Sequence, residues 1–515
     1  MKRKVIIIGG GVAGLTAAIE AQKNGFDAIL YEKHFMLGGL CTAWERKGLM
    51  IDGCIHWLTG VDPKSYLYHH WQNLHAFSPD EVVINDSFGT FTYNGTQLTL
   101  WSDIERTKNE FIRLSPVDAK QIDWFCRTVQ TIGSMRLSIN EPMSLKSFPT
   151  LLKEGVELFP ALPSFIHASK MTCEDLAKRF KHPAIKWVMT HAQAGAGNAF
   201  SFMFSYGSHV VRDAGLLKGG SLTLIRNMTN HFLDIGGEVY VNCGVKKIII
   251  ENRVARGVVL ENGNEEDADY VIAACDPHVT FNKLLNKEYK IKSFAKLIEK
   301  KTLQYPTVAC CQVTLSLPTE LASKLSNPQI LHVKPFDVAG KTYEHINIHF
   351  YNFDEITFSR NGRITATILL DQTDNDYAFW TNLKKEGSRE YKEYKKELGD
   401  IVIQRILDVW PNFSNRIEII DFATPLTYTR YTGAYNGAYM PFRFTTKGGM
   451  YNNSGRVKGL KRFIVASQWM QIPGGLPLAL ASGHYAIQYM CHDLKIKYNI
   501  SPNTPSVMKP KLLEG

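Results

Sequence analysis

The stretch KVIIIGGGVAGLTAAIEAQKNGFDAILYEKH, residues 4–34, decides the fold of this chain. Its unbroken β-branched run at residues 5–8 predicts a strand that is buried on both faces of a parallel sheet. Three glycines follow with the spacing G-x-G-x-x-G, namely Gly9, Gly11 and Gly14. In this spacing the first glycine permits a tight turn, the second lets a pyrophosphate approach the backbone, and the third lets a helix pack on the strand. The stretch therefore predicts a strand, a phosphate-binding turn and a helix.

An acid after the second predicted strand completes the dinucleotide pattern. Residues 28–31 form that strand, and Glu32 follows 18 residues after Gly14. An acid at this distance accepts hydrogen bonds from a ribose, while the N–H groups and dipole of the helix start favour a phosphate. Two alternatives stay open, an ordinary βαβ unit without a ligand and Glu32 as a surface acid. The sequence thus predicts a Rossmann-type domain.

Length and composition limit the classes of protein. A chain of 515 residues is expected to form two or more domains. Its net charge of +10, from 59 basic and 49 acidic residues, is compatible with an anionic membrane surface and is not typical of nucleic-acid binding. Nine cysteines without a C-x-x-C pair indicate reduced thiols. We therefore expect a cytoplasmic protein without a secretory signal or membrane span, and peripheral contact with the inner face of a membrane is a further hypothesis.

A longer pattern continues past the ribose acid. The stretch EKHFMLGGLCTAWERKGLMIDGCIHWLTG, residues 32–60, contains the glycine pair Gly38-Gly39. Such a pair lets another loop approach an extended ligand such as FAD. The stretch resembles the FAD-dependent superfamily of carotenoid desaturases, retinol saturases and flavin amine oxidases. Within it, GLMIDGCIHWLTG (48–60) and GGLPLALASGHYAIQ (474–488) look like the carotenoid (phytoene) desaturase and retinol saturase branch.

Two later segments extend the resemblance. Residues 217–277 predict a helix, a β-meander and a last buried strand, and residues 460–490 predict a strand, an irregular glycine turn and a helix. In the family these segments return the chain to the FAD domain. The resemblance implies that Val245 places its backbone at the adenine. It also implies that the turn at residues 473–477 lies against the isoalloxazine and the pyrophosphate.

The resemblance implies an interleaved α/β fold. We expect a discontinuous Rossmann-type FAD-binding domain of a flavoprotein with two dinucleotide-binding motifs, interleaved with a mixed α+β substrate domain and followed by a polar tail. The expected parts are residues 1–80, 216–285 and 456–495 for the FAD domain, 81–215 and 286–455 for the substrate domain, and 496–515 for the tail.

The two inserts of the substrate domain differ in pattern. The first is predicted to be helical, and its stretch MSLKSFPTLLKEGVELFPALPSFIHASKM (143–171) fits either a lipid-contacting patch or a prolyl helix pair over a core. The second predicts strands and a charged helix near residues 388–410. Its end, TPLTYTRYTGAYNGAYMP (424–441), resembles the family's segment that lines the substrate cavity. The tyrosines Tyr428, Tyr431 and Tyr435 are accordingly expected to lie either on the substrate or in the core of a sheet.

The resemblance implies an FAD-dependent oxidoreductase that acts on CH–CH groups. It would introduce or saturate double bonds in an apolar polyene or isoprenoid lipid, such as a carotenoid or retinoid, by hydride transfer with the flavin. FAD is the expected cofactor, with no metal and no nucleic-acid partner. Because the sequence contains no second G-x-G-x-x-G fingerprint for a separate nicotinamide-binding domain, the electron donor or acceptor and the direction of reaction stay open. The alternatives are a flavin amine oxidase-like enzyme and a non-catalytic prenyl-lipid carrier of the same fold.

The expected site residues follow from these motifs. His56 is the predicted acid or base, because its motif would end close to the flavin, and its alternative role is to pack a turn. Leu40 stands where amine oxidases and many desaturases carry arginine, and Pro473 and Leu478 replace glycines of the family's turn. The predicted FAD contacts are Gly9, Gly11, Val12, Ala13, Gly14, Glu32, Lys33, Gly38, Gly39, Leu40, His56, Val245, Trp469, Pro473, Gly474, Gly475 and Leu476.

Overall fold

A computed structural model of the chain describes residues 2–193, 197–299, 305–373, 375–449 and 451–499. The described strands are β1 (Lys4–Ile8), β2 (Asp27–Tyr31), β3 (Ala43–Arg46), β4 (Leu49–Asp52), β5 (Leu58–Thr59), β6 (Val82–Val83), β7 (Ser87–Tyr93), β8 (Thr96–Trp101), β9 (Ala214–Leu217), β10 (Glu238–Tyr240), β11 (Val245–Glu251), β12 (Val254–Leu260), β13 (Glu265–Asp267), β14 (Tyr270–Ala273), β15 (Thr307–Pro318), β16 (Gln329–Val338), β17 (Lys341–Phe350), β18 (Ser359–Arg360), β19 (Arg363–Gln372), β20 (Glu418–Ala423), β21 (Ala438–Phe442) and β22 (Phe463–Val465).

The helices occur in both inserts and in the segments of the predicted FAD domain. They are α1 (Val12–Lys23), α2 (Tyr66–Asn73), α3 (Ile104–Leu114), α4 (Ala119–Gly133), α5 (Phe148–Leu158), α6 (Leu162–Ser169), α7 (Cys173–Ala177), α8 (Pro183–His191), α9 (Ala199–Val210), α10 (Gly220–Asp234), α11 (Pro277–Val279), α12 (Lys292–Glu299), α13 (Thr319–Ala322), α14 (Glu355–Phe358), α15 (Tyr377–Glu386), α16 (Ser388–Val409), α17 (Pro425–Thr432) and α18 (Leu476–Leu494).

A five-stranded parallel sheet has the order β10-β2-β1-β14-β22. Its strands come from the three chain segments that the sequence assigns to the FAD domain, and the predicted α/β fold class is confirmed. Helices α1 and α18 pack on one side of the sheet so closely that a Cβ on Gly483 would lie 2.4 Å from the Ala13 carbonyl oxygen. The carboxyl ends of β1 and β2 and the start of α1 therefore meet at one edge. The domain boundaries themselves stay a prediction.

A nine-stranded sheet joins both inserts. Its main path is β20-β15-β19-β17-β16-β7-β8, with β18 on β19 and β21 on β15. The strands predicted in the second insert are confirmed, whereas the prediction of a helical first insert is wrong for its first part. There β7 and β8 form a hairpin through Asn94 and Gly95, and β7 pairs in parallel with β16. This pairing joins residues that lie more than 230 positions apart, which no local pattern shows.

Helix α5 lies on the outside of the protein and contains no buried residue. Its apolar side chains are solvent-exposed, with Phe148 exposed by 78%, and the neighbouring Phe159 is exposed by 72%. The alternative of a helix pair over a core therefore fails for α5. Among the described residues, no helix combines the length and the apolar character needed to cross a bilayer.

A buried polar network ties α1 to α18 and to the start of the C-terminal tail. His484 Nδ1 lies 2.7 Å from Glu20 Oε1, and the Tyr498 hydroxyl donates to Glu20 Oε2 at 2.9 Å. His484 Nε2 is bonded to the Asn140 carbonyl oxygen, and His70 Nε2 to Asn140 Oδ1. The sequence predicts no metal site. The structure nevertheless brings Glu20, His70 and His484 together as possible ligands, and each of these side chains already makes a hydrogen bond in this network. Of the predicted polar tail, Ile496 and Tyr498 pack against the hydrophobic core, and residues 500–515 lie outside the described residues.

We expect this network to make stability depend on pH. Burial opposes the charge on His484, but the Glu20 carboxylate outweighs it and raises the histidine's pKa above 6.5. Burial likewise opposes the charge on Glu20, but His484 lowers its pKa below 4.5. The stabilisation by His484 is complete below pH 6.5 and is lost as the pH rises through its folded pKa, whereas that by Glu20 is lost on acidification below pH 4.5.

Thermal unfolding of His484→Leu across this pH range tests the network. Removing one partner of a buried pair should lower the free energy of unfolding by about 3–5 kcal/mol near pH 6, with a smaller loss at alkaline pH. His492→Gln, at an exposed position of the same helix, is the matched control. An equal loss at all pH values would contradict the ion pair.

Candidate functional site

A cavity of about 2250 Å³ runs between the two sheets. Pockets for a single ligand have volumes of about 300–1000 Å³, so this cavity has room for two ligands. Its lining includes the glycine turn after β1 and the start of α1, and also Leu158, Leu162 and Phe165 at or near the exposed helix α5. The cavity therefore includes both the predicted nucleotide site and apolar side chains next to α5.

The three glycines of the first turn have different roles. A Cβ on Gly14 would lie 1.9 Å from the Gly9 carbonyl oxygen, so Gly14 is required for the helix to pack on the strand. A Cβ on Gly11 would meet no protein atom closer than the Gly38 carbonyl oxygen at 3.7 Å, and Gly11 lines the cavity with φ −74°. The protein itself does not need a glycine at position 11. A ligand that lies against the backbone at this position would explain why the residue is a glycine.

Glu32 is buried at the nucleotide end of the cavity. Its Oε2 accepts a hydrogen bond from the Gly10 N–H at 2.7 Å, and its Oε1 accepts one from the His34 N–H at 2.9 Å. Each carboxylate oxygen has about two acceptor positions, so both keep room for a ribose hydroxyl. The backbone contacts thus orient the acid and leave it able to bind the sugar.

The second glycine pair lies directly against the first turn. Gly38 has φ +121°, and its N–H donates to the Gly10 carbonyl oxygen at 2.8 Å. A side chain on Gly38 would lie 2.3 Å from the Cys41 carbonyl oxygen. This loop therefore closes over the helix start, with the apolar side chain of Leu40 on the cavity.

The C-terminal turn forms another wall. Gly474 and Gly475 have φ of +85° and +86°, a region that favours glycine, and Gly475 is the N-cap of α18. The Gly475 N–H donates to Gln468 Oε1 at 2.9 Å, and Gln468 Nε2 donates to the Tyr439 carbonyl oxygen. Helix α18 starts at Leu476, two residues before the start at Leu478 that the sequence predicts. Proline is tolerated in the first turn of a helix, so Pro477 does not interrupt it.

The structure brings the predicted FAD contacts together with one exception. All of them line the cavity except Gly14, whose role is in helix packing. Val245 is the first residue of β11, and Trp469 is buried beside Phe442 and Tyr435 while also lining the cavity. The helix start, the oriented acid and the space above Gly11 fit the pyrophosphate and ribose of FAD.

His56 lies on the cavity at the end of a loop that Asp52 holds in place. Asp52 accepts hydrogen bonds from the N–H and the hydroxyl of Ser221, both at 2.6 Å, and from the Cys54 and Ile55 N–H groups. The His56 ring centroid lies 4.3 Å from that of His349, and burial lowers the pKa of His56 to about 4. Its imidazole is therefore neutral near pH 7.

The three predicted substrate tyrosines all line the cavity, and none of them lies on a strand, so the alternative of a buried sheet is wrong for them. Tyr428 is buried on α17, where its hydroxyl donates to Gln312 Oε1 at 3.1 Å. Tyr431, on the same helix, is 45% exposed beside His34, and Tyr435 stacks on His278. Because Tyr431 contacts His34, it lies near the predicted nucleotide site. Gly433, in the left-handed conformation, ends helix α17.

Two cavity residues on β17 were not predicted. Asn347 and His349 alternate with Ile346, Ile348 and Phe350, which lie in the core on the other side of the sheet. The period-two pattern of the stretch HINIHF carries the signal for one polar face. The sequence does not show that this face meets His56.

Comparisons with known proteins agree with this architecture. A family model described as flavin containing amine oxidoreductase matches residues 12–490. The chain is 22% identical to all-trans-retinol 13,14-reductase of Danio rerio, over 84% of this chain and 76% of the relative. It is 25% identical to a chloroplastic prolycopene isomerase of Daucus carota, over 88% of this chain and 75% of the relative.

A solved structure shares the fold. The crystal structure of an oxidoreductase from Methanosarcina mazei superposes with a TM-score of 0.57 at 15% identity, and the match covers 94% of this chain and all of the other. This similarity shows a shared fold.

Proposed function

The chain belongs to the family of flavin-containing amine oxidoreductases, and on that premise we propose that it acts on the C–C double bonds of an apolar polyene or isoprenoid lipid. It is an FAD-dependent oxidoreductase. Two relatives named for polyene substrates, a retinol reductase and a prolycopene isomerase, match most of its length. The observation that carries the proposal is the cavity, whose lining includes both the glycine turns and the apolar side chains of Leu158, Leu162 and Phe165.

Roles for the site residues follow from their positions. The N–H groups at the start of α1, Glu32 and the two glycine turns would hold the cofactor, and bound FAD supplies a two-electron acceptor or donor. His56 lines the cavity as a neutral imidazole, so it is able to hold or move the proton that accompanies reaction at a substrate carbon. Apolar walls exclude water from a lipid chain. The tyrosines of α17 would limit the space beside it.

Anaerobic half-reactions test the proposed chemistry and its direction. Oxidised and reduced protein are each mixed with polyene hydrocarbons, retinoids and primary amines, and flavin absorbance is followed. We expect a polyene to change the flavin's redox state and amines to leave it unchanged. Flavin reduction by amines alone would identify the amine oxidase-like alternative, and protein purified without flavin would identify the lipid carrier.

We also propose that helix α5 and its neighbours dock on a membrane, through which the lipid substrate reaches the cavity. Exposed apolar side chains at Phe148, Leu152, Val156 and Phe159 support this, because patches of this kind mark interaction surfaces. The exposed Lys153 lies among them, and Glu154 and Leu158 of the same helix line the cavity. An apolar helix surface with basic residues is typical of binding in the interface of anionic bilayers.

Sedimentation with anionic liposomes tests this surface. The triple variant Phe148→Ser, Val156→Ser, Phe159→Ser should bind at least about 100-fold more weakly, since each buried apolar side chain contributes about 1.5–3 kcal/mol. Salt should weaken binding of the unmodified protein through screening of the lysines. Ile356→Ser is the matched control, because Ile356 is 97% exposed but lies on α14 and is not part of the proposed docking surface at α5. Equal sedimentation of the triple variant would contradict the proposal.

A further inference from the structure

Two cysteines lie opposite each other at the open end of the β3–β4 hairpin. The antiparallel register of the hairpin continues past its strands, because the Gly53 N–H donates to the Thr42 carbonyl oxygen at 2.9 Å. The next residues in this register are Cys41 and Cys54. They follow a hydrogen-bonded pair and so occupy a non-hydrogen-bonded position, where opposite Cα atoms lie about 4.5 Å apart. A disulfide needs Cα atoms about 4.4–6.8 Å apart, so the backbone here suits one.

The two sulfur atoms also contact each other. A hydrogen bond between the Cys41 and Cys54 thiols, together with burial, raises the pKa of the Cys41 thiol well above its ordinary value. Both residues are free cysteines in this structure. The side chains therefore point toward each other, which a disulfide requires in addition to a suitable backbone.

The cysteine pair lies on the cavity. Both residues line it, and Cys54 is half-buried whereas Cys41 is only 2% exposed. An oxidant in the cavity therefore reaches Cys54 first. Cys41 is then already in place for the second step, because a group that is held next to its reaction partner reacts at a high effective concentration.

The two other cavity cysteines of the described residues have different partners. The Cys275 sulfur lies 3.2 Å from Thr280 Oγ1, and the Cys310 sulfur lies 3.3 Å from the Tyr428 hydroxyl oxygen. A hydroxyl group cannot form a disulfide. These two residues therefore provide an internal comparison for the pair on the hairpin.

We propose that Cys41 and Cys54 are a redox-active pair that hydrogen peroxide converts to a disulfide and that a dithiol reductant restores. In the first step the Cys54 sulfur attacks a peroxide oxygen, so that an S–O bond forms, the O–O bond breaks and one water leaves with the thiol proton. In the second step the Cys41 sulfur attacks this sulfenic acid, so that the S–S bond forms, the S–O bond breaks and a second water leaves. Two thiols are thereby oxidised, and one peroxide is reduced to two waters.

The disulfide joins two segments of the site. Cys41 follows the loop of Gly38 and Gly39, which closes over the start of α1, and Cys54 lies in the loop that carries His56. Oxidation of the pair therefore fixes the second glycine loop to the loop of His56. Because the bond forms without a lipid substrate, its test is independent of the proposed function.

Peptide mass spectrometry of the FAD-loaded protein tests the pair. The native protein is treated with hydrogen peroxide until Met143, which is 62% exposed, is oxidised. Remaining thiols are alkylated in denaturant, and trypsin then cleaves after Arg46 and Lys47, so that a disulfide links peptides 34–46 and 48–64. We expect the linked peptides to be the main product of peroxide at Cys54, and dithiothreitol should separate them.

Three results would overturn the proposal. They are alkylation of both cysteines after Met143 has been oxidised, sulfinic or sulfonic acid at Cys54 without the linked peptides, and a disulfide from Cys54 to a different cysteine.

Cysteine variants verify the order of the two steps. Cys54→Ser should leave Cys41 available for alkylation after peroxide, whereas Cys41→Ser should carry Cys54 on to the sulfinic acid, because no second thiol condenses with the sulfenic acid. Cys275→Ser is the matched control and should give the same yield of linked peptides as the unmodified protein, since its thiol contacts the Thr280 hydroxyl. Flavin absorbance verifies that each variant is folded and loaded. A disulfide at Cys54 that persists in Cys41→Ser would overturn the assignment to this pair.

Discussion

Replacing Gly11 with valine is expected to give a folded protein that purifies without FAD. The backbone at Gly11 has φ −74°, which valine adopts, and the nearest protein atom to a new Cβ would be 3.7 Å away. The added methyl groups would instead occupy the cavity at the start of α1, where the pyrophosphate approaches. We expect FAD affinity to fall at least about 100-fold, close to 2.8 kcal/mol.

Flavin absorbance per protein and thermal unfolding of the cofactor-free chain measure this result. Gly155→Val is the matched control, because a Cβ there meets no atom within 4 Å and the residue lies on exposed α5. Gly14→Ala should differ from both and unfold the start of α1, since its Cβ would overlap the Gly9 carbonyl oxygen. Full flavin occupancy in Gly11→Val would show that the cofactor does not lie against this turn.

Replacing His56 with alanine should keep FAD bound and slow the flavin half-reaction by about 10²–10⁴-fold, the usual contribution of a general acid or base. The pKa of His56 is about 4, so the neutral form dominates above that pH. If His56 accepts the proton, the rate falls as the pH drops through about 4. If His56 donates it, the rate rises over the same range. Whether the rate falls or rises at acid pH therefore reports the direction of the reaction.

Stopped-flow measurement of the half-reaction at a series of pH values gives both the rate and its change at acid pH. His209→Ala is the matched control, because His209 is another buried histidine of the cavity whose pKa is about 4 and whose Nδ1 is already bonded to the Ser205 carbonyl oxygen. Added imidazole should partly restore His56→Ala. If His56→Ala has the same rate as the unmodified protein and the same pH dependence at acid pH, His56 has a packing role only.

The sequence alone determined the nucleotide half of this protein. Residues 4–34 predict β1, α1 and β2 because strand periodicity, glycine spacing and the helix start are set within a few neighbouring residues. The same is true of the strands of the second insert and of helix α16. Asn94-Gly95 carried a hairpin signal as well, although the first insert was predicted to be helical.

The tertiary structure alone decided which side chains meet in the cavity. His56 and His349 contact each other because the loop between β4 and β5 packs on β17, and Asn347 lines the same cavity. Likewise, the apolar pattern of α5 fits a core or a surface equally well until its neighbours are known. Local sequence fixes backbone conformation over a few residues. Contacts between residues hundreds of positions apart depend on strand pairing and packing, which only the assembled fold provides.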